Sequence, residues 1–215
     1  MVRRGYDALS LRYRAGDALP GPYAAWLAQL QTALPPRGRV LDLGCGCGVP
    51  VARTLALAGH DVLGVDVSQV QVDRARRLVP QAQFLRADVT ALRLPARSYD
   101  AVVALYSLIH LPLPDQPVLL GSIADWLVDD GVLLLTAGWD AWSGSDPTWL
   151  GGSSEMRWSQ ADAATYATWL ESAGLDVLRR ERVPDGDSSH SLFWARRRPR
   201  RQPRAEPFPS ARRKV

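Results

Sequence analysis

The chain has 215 residues, 47% hydrophobic and 22% charged, which suits one α/β domain with a short appendage and a core that needs no staples. Its two cysteines, Cys45 and Cys47, lie two positions apart in a glycine-rich stretch, which excludes a disulfide framework and argues against a four-ligand zinc site. The net charge of +4 is uneven: the last twenty residues hold nine basic side chains and one acidic, leaving 17 basic and 21 acidic for residues 1–195. Basicity is therefore a property of the tail and says nothing of a nucleic-acid face on the body. No apolar run reaches the ~20 residues of a membrane helix, and the first residues lack a hydrophobic signal core. A cytoplasmic protein without a membrane partner is expected.

Periodicity alternates between helix and strand along the chain. Within residues 6–33, Tyr23, Trp26, Leu27 and Leu30 fall on one helix face, and Pro35 and Pro36 end the segment. Residues 39–43 read as a buried strand, 49–59 as a helix closed by Gly59, and 61–67 as a second strand. Ser68 is placed to cap a helix over 68–79, which Pro80 stops. A third strand covers 82–88. A fourth covers 99–108 and is apolar throughout, as a doubly covered strand should be.

A helix over 115–131 ends in glycine, and strand 132–138 follows. Residues 139–158 hold four tryptophans and no clear period. A helix over 159–174 and a strand pair, 175–183 and 190–197, close the domain. This alternation predicts an α/β, doubly wound, mostly parallel sheet with helices on both faces and an antiparallel last strand. The expected organisation is a helical N-terminal lid over 1–36, a domain over 37–197 and a disordered basic tail over 198–215. Proline and arginine leave that tail too little apolar surface to offset its ordering entropy.

The sharpest signal is the loop from Val40 to Gly48, VLDLGCGCG, between a strand and a helix. That is the edge where open α/β sheets bind ligands. Glycines let the backbone turn tightly and approach a ligand without a Cβ. The spacing is Gly-x-Gly-x-Gly. A dinucleotide fingerprint needs a third glycine where Val49 stands, and a phosphate loop needs a Gly-Lys-Ser or Gly-Lys-Thr that is missing. Asp66 ends the second strand, where a carboxylate can accept from both ribose hydroxyls. Asp88 ends the third, after Ala87, where it can take an amino group of adenine. Asp42 precedes the loop in an apolar strand and needs partners if buried.

Together VLDLGCGCG (40–48), GVDVS (64–68), RADVT (86–90), YDAVVALYSLIHL (99–111) and DDGVLLLTAG (129–138) resemble the class I S-adenosylmethionine-dependent methyltransferases. The resemblance implies a seven-stranded sheet. It also implies contacts to S-adenosylmethionine, or its product S-adenosylhomocysteine, at Asp42, Gly44, Cys45, Gly46, Asp66, Val67, Ala87, Asp88 and Val89. Leu105 would lie near the methionine end and Gln71 against adenine or ribose, with Tyr6 and Tyr13 on a lid over the methionine moiety. Cys47 departs from the family's usual serine or threonine.

Methyl transfer from a sulfonium is an in-line displacement in which positioning contributes much, and a base is needed only for a protonated acceptor. His110 follows the fourth strand, where it is either that base or a packing residue; a hydroxyl at Tyr106 or Ser107 can orient the acceptor. Methylation at cytosine carbon-5 would need a cysteine nucleophile near the fourth strand. Amino-methylation of adenine or glutamine would use Asn/Asp-Pro-Pro-aromatic where this chain has Leu105-Tyr106-Ser107-Leu108. Metal-dependent catechol chemistry would want clustered acids where Asp115 stands alone. A metal-independent enzyme on a small apolar or aromatic acceptor is expected. Trp139, Met156 and Trp158 are read as acceptor-pocket residues, or else as a plug under a long loop. Other readings stay open: an RNA or protein methyltransferase guided by the tail, a nicotinamide-dinucleotide oxidoreductase, and a non-catalytic binder.

Overall fold

A computed structural model of the chain describes residues 2–14, 22–152 and 154–199. From residue 200 on, the expected tail lies outside the described residues. The segment just before it is tied to the domain: Arg198 pairs with Asp176 at 2.5 Å and donates to the Glu171 carbonyl at 3.1 Å.

Among the described residues, nine strands and six α-helices follow in order. They are α1 (Val2–Tyr13), α2 (Tyr23–Ala33), β1 (Arg39–Leu43), α3 (Val51–Leu57), β2 (Asp61–Asp66), α4 (Gln69–Leu78), β3 (Gln83–Arg86), β4 (Tyr99–Ala104), α5 (Asp115–Trp126), β5 (Leu127–Gly138), β6 (Trp142–Asp146), β7 (Met156–Gln160), α6 (Ala163–Ser172), β8 (Leu175–Asp185) and β9 (Ser188–Arg197). Seven strands form one sheet in the order β3-β2-β1-β4-β5-β9-β8. The first five pair in parallel, and β9 runs antiparallel between β5 and β8. The expected fold class holds, with the final strand of the chain wedged inside the sheet.

Alternate side chains of the central strands feed two cores. Val40, Val103 and Leu134 meet α2, α3 and α4 on one face. Leu41, Val102 and Leu133 meet α5 and α6 on the other. Every residue named is fully buried, which explains why these strands read as continuous apolar runs. The strand order reverses between β1 and β4, so the loops after both open at one crevice.

Several boundaries differ from the sequence reading, among them the strand expected over 99–108, which ends at Ala104. The helix expected over 115–131 ends at Trp126, because Leu127 is already buried and paired with Tyr99. Gly131, read as a helix stop, belongs instead to the irregularity that brings Val132 opposite Ala101. Residues 139–158 contain a two-stranded antiparallel ribbon of β6 with β7. Its period was hidden because only Met156 of the ten strand residues is fully buried. The N-terminal helices also divide: α2 buries Trp26, Leu27 and Leu30 in the sheet core, whereas α1 packs on α4 and β7.

Candidate functional site

A cavity of about 1000 Å³ opens at the crevice, beneath α1 and beside the β6–β7 ribbon. Its floor is the glycine loop. Gly44 and Cys45 donate to the Val65 carbonyl at 2.8 and 3.0 Å, folding the loop against β2. Gly44 has φ +70°, and a Cβ there would overlap Ser107 in the loop after β4. Glycine is thus required twice, by conformation and by close approach.

Asp66 stands at the end of β2 and lines the cavity. Its Oδ2 accepts from the Gly46 N–H at 2.9 Å and its Oδ1 from the Ser68 N–H at 2.8 Å. Each oxygen keeps a second lone pair, so the fixed carboxylate can still accept two hydroxyls. Burial raises its pKa, and those backbone donors oppose the rise. Ser68 caps α4 by accepting from the Gln71 N–H, and its hydroxyl donates to Asp7 at 2.6 Å. Ser10 donates to Gln71 Oε1 at 2.7 Å and also meets Arg74. These contacts seat α1 on α4 across the cavity mouth. Asp88 ends the stretch after β3 and holds Thr90 through its Oδ1.

A smaller cavity of about 40 Å³ shares Tyr13, Gly44, Gly46 and Leu105 with the larger one. It is lined by Asp42, Cys45 and Arg14. Asp42 Oδ2 and Arg14 Nη1 are both buried without a hydrogen-bond partner among the described residues. Burial, with the charge of Asp66, pushes Asp42 up to about 8. The Arg14 guanidinium rests over the rings of Tyr13 and Tyr23, at 5.8 and 5.3 Å. One unpartnered carboxylate oxygen and one unpartnered guanidinium nitrogen beside one small space suit a ligand that carries both an ammonium and a carboxylate.

At the other end, His110 lies in a 3₁₀ turn after β4, half-buried at the cavity. Its Nε2 is 2.8 Å from the Tyr6 hydroxyl and its Nδ1 is 3.1 Å from the Arg157 carbonyl. Burial lowers its pKa to about 4, so the ring is neutral at neutral pH. Tyr6, Tyr13, Trp149, Trp158 and His110 form a chain of ring contacts with centroids 5.2–5.8 Å apart. Tyr106 adopts φ +55°, and its N–H donates to Thr136 Oγ1 at 2.5 Å. Its ring meets His190 edge-on at 5.0 Å.

The structure gathers Tyr6, Tyr13, Gly44, Gly46, Asp66, Val67, Gln71, Asp88, Val89, Leu105, Tyr106, His110 and Trp158 around the larger cavity. Three expected residues do not line either cavity. Trp139 leaves β5 on the far side, packs against the α5–α6 core and lies under the guanidinium groups of Arg180 and Arg182. Met156 is fully buried beneath Gly5 of α1, where it serves as packing. Ala87 packs at the edge of the α5–α6 core. Ser107, the alternative to Tyr106 for orienting the acceptor, also lines the larger cavity. Sequence reasoning passed over Arg14, Leu111 and Arg157. Arg14 shares residues 1–36 with three other arginines, Arg3, Arg4 and Arg12, so composition gave it no distinction. Arg157 contributes through a backbone carbonyl, which leaves no side-chain signature.

Residues 40–131 match the family model described as a methyltransferase domain. That match runs from β1 into β5, a little under half of the chain. A stretch of 85 residues is 35% identical to the putative methyltransferase YqeM of Bacillus subtilis, over 38% of this chain and 34% of that protein. A stretch of 133 residues is 38% identical to 27-O-demethylrifamycin SV methyltransferase of Amycolatopsis mediterranei, over 52% of this chain and 49% of that protein. The chain thus spans between a third and a half of the length of these two relatives. The methyltransferase fold extends further than the sequence match. Magnesium protoporphyrin IX methyltransferase (ChlM) of Synechocystis PCC 6803, solved with bound SAH, superposes with a TM-score of 0.69 at 22% identity, over 91% of this chain and 97% of that one. Among the described residues no helix is long and apolar enough to cross a membrane.

Proposed function

We propose that this chain transfers a methyl group from S-adenosylmethionine to a small, apolar or aromatic acceptor. The observation that carries the reading is the paired vacancy of hydrogen bonds at Asp42 and Arg14, set beside a fixed Asp66 carboxylate on the glycine loop. An amino-acid end and a ribose need those groups in that arrangement. Asp66 would hold the ribose hydroxyls, Gln71, Val67, Asp88 and Val89 the nucleoside, and Asp42 with Arg14 the ammonium and carboxylate. Cys45 and Leu105 would lie along the methionine chain. When bound, the cofactor supplies a methyl on a sulfonium, a carbon already activated for displacement.

The chain's own groups do the remaining work. Tyr6 and Tyr13 cover the cavity and exclude water, which strengthens every electrostatic contact beneath them. Leu108, Leu111 and Pro112 make an apolar wall for the acceptor beside Trp158. Tyr106 and His110 orient it, and His110 can take a proton because its ring is neutral. Relatives named for small-molecule acceptors, such as 2-methyl-6-phytyl-1,4-hydroquinone methyltransferase of Synechocystis, support this acceptor class.

Calorimetry tests the cofactor site. S-adenosylhomocysteine should bind the wild-type chain, and Asp66→Ala should weaken it by ~1.5–3 kcal/mol, the scale of hydrogen bonds to a charged group. Equal affinity in both would remove Asp66 from the site.

A further inference from the structure

The Tyr6–His110 contact has a defined direction. The Arg157 carbonyl can only accept, so the His110 Nδ1 that faces it at 3.1 Å carries the hydrogen. In a neutral ring Nε2 is then a bare lone pair, and the Tyr6 hydroxyl at 2.8 Å donates to it. Burial favours the neutral form of both groups. With its hydrogen committed, the Tyr6 hydroxyl has only lone pairs left, shared between the neighbouring Tyr13 and the cavity. It recognises a hydrogen-bond donor and nothing else. Tyr6 also lies between the two ends of the site, since it feels the charge of Asp66 while touching His110.

We propose that Tyr6 relays the acceptor's proton to His110, and that the methylated atom is accordingly the oxygen of a hydroxyl carried on an apolar ring system. The inference rests on the methyl-transfer reading above. A neutral amine brings a free lone pair and needs no base, whereas a hydroxyl must lose its proton to give a stable ether. An acceptor O–H donates to Tyr6 Oη. As the oxygen's electron pair forms the new bond to carbon, the carbon–sulfur pair remains on sulfur. The hydroxyl proton passes to Tyr6, and the Tyr6 proton passes to His110 Nε2. One positive charge leaves sulfur and one appears on the imidazolium, so the net charge of the buried site is unchanged. That balance lets a ring that resists protonation alone accept a proton at this moment. The apolar wall of Leu108, Leu111 and Pro112, with the indole of Trp158, suits a flat hydrophobic body around the hydroxyl.

Tyr6→Phe tests the relay, because it keeps the ring contacts to Tyr13, His110 and Trp149 and removes only the hydroxyl. In the full chain with S-adenosylhomocysteine bound, ¹⁵N spectra of the histidines should assign His110 as the Nδ1–H form, identified by its loss in His110→Gln. Tyr6→Phe should move the Nε2 resonance toward that of an unbonded imidazole. With S-adenosylmethionine, 1-naphthol, 2-naphthol and 6-hydroxyquinoline should yield O-methyl products, and their amino analogues none. Tyr6→Phe should slow that transfer ~10²-fold, the lower end of proton-transfer catalysis, with S-adenosylhomocysteine affinity within twofold of wild type. An Nε2–H ring, an unmoved Nε2 signal, an undiminished rate in Tyr6→Phe, or methylation of the amines alone would each overturn the relay. So would a lack of product from every hydroxyl probe while S-adenosylhomocysteine still binds. Failure of the wild-type chain to bind S-adenosylhomocysteine would instead overturn the cofactor reading beneath it.

Discussion

Asp42 sits in an environment that opposes stability. It is 3% exposed, and one carboxylate oxygen has no partner among the described residues. Its folded pKa of about 8 lies far above the unperturbed carboxylate value near 3.9. Between those values the folded chain keeps a proton that the unfolded chain releases, so stability without ligand falls as pH rises through that window. His110 acts in the opposite sense: with a folded pKa of about 4, it makes stability rise between pH ~4 and ~6.5. Asp42→Asn should therefore raise the melting temperature near pH 8 and flatten its dependence on pH from 5 to 8. The gain should be ~1–3 kcal/mol, the scale of an unpaired buried group. The same substitution should weaken S-adenosylmethionine binding. A lower melting temperature at pH 8 would mean that Asp42 is partnered in the ligand-free chain.

Among the elements, the two N-terminal helices have separate tasks that one apolar stripe did not distinguish. The stripe of Trp26, Leu27 and Leu30 is the core face of α2. On α1 only Gly5, Leu9 and Ser10 are buried, and polar contacts to Asp7, Ser10 and Tyr6 hold it over the cavity. Amide exchange within α1 should slow when S-adenosylhomocysteine is added, while α2 changes little, as expected of a segment that orders over a ligand. Equal protection of α1 with and without ligand would make it a fixed wall. Strands β1 and β4 and the second part of β5 were legible because burial on both faces writes itself as uninterrupted apolar runs. The β6–β7 ribbon was not, because neither face is covered along its length. The cofactor end of the site was legible because the loop and the strand-end acids lie in order along the chain. Its acceptor end is assembled from α1, the turn after β4 and β7, which are 104 residues apart at the Tyr6–His110 contact.

For the whole molecule, one ligand couples cavity, fold and stability. A compound that binds only the folded chain stabilises it by RT ln(1 + [L]/Kd), or ~2.7 kcal/mol at a hundredfold excess over Kd. For a chain of this size that corresponds to a melting shift of roughly 5–11 °C. S-adenosylhomocysteine should produce it, and NADH should not. Equal shifts with both would favour a dinucleotide site. The central claim is tested most directly by a crystal structure of the chain with S-adenosylhomocysteine. The account predicts ribose hydroxyls on Asp66, the ammonium on Asp42, the carboxylate on Arg14 and the sulfur facing the Tyr6–His110 pair. Ligand bound with its amino-acid end away from Asp42 and Arg14, or an empty crevice at saturating concentration, would contradict it.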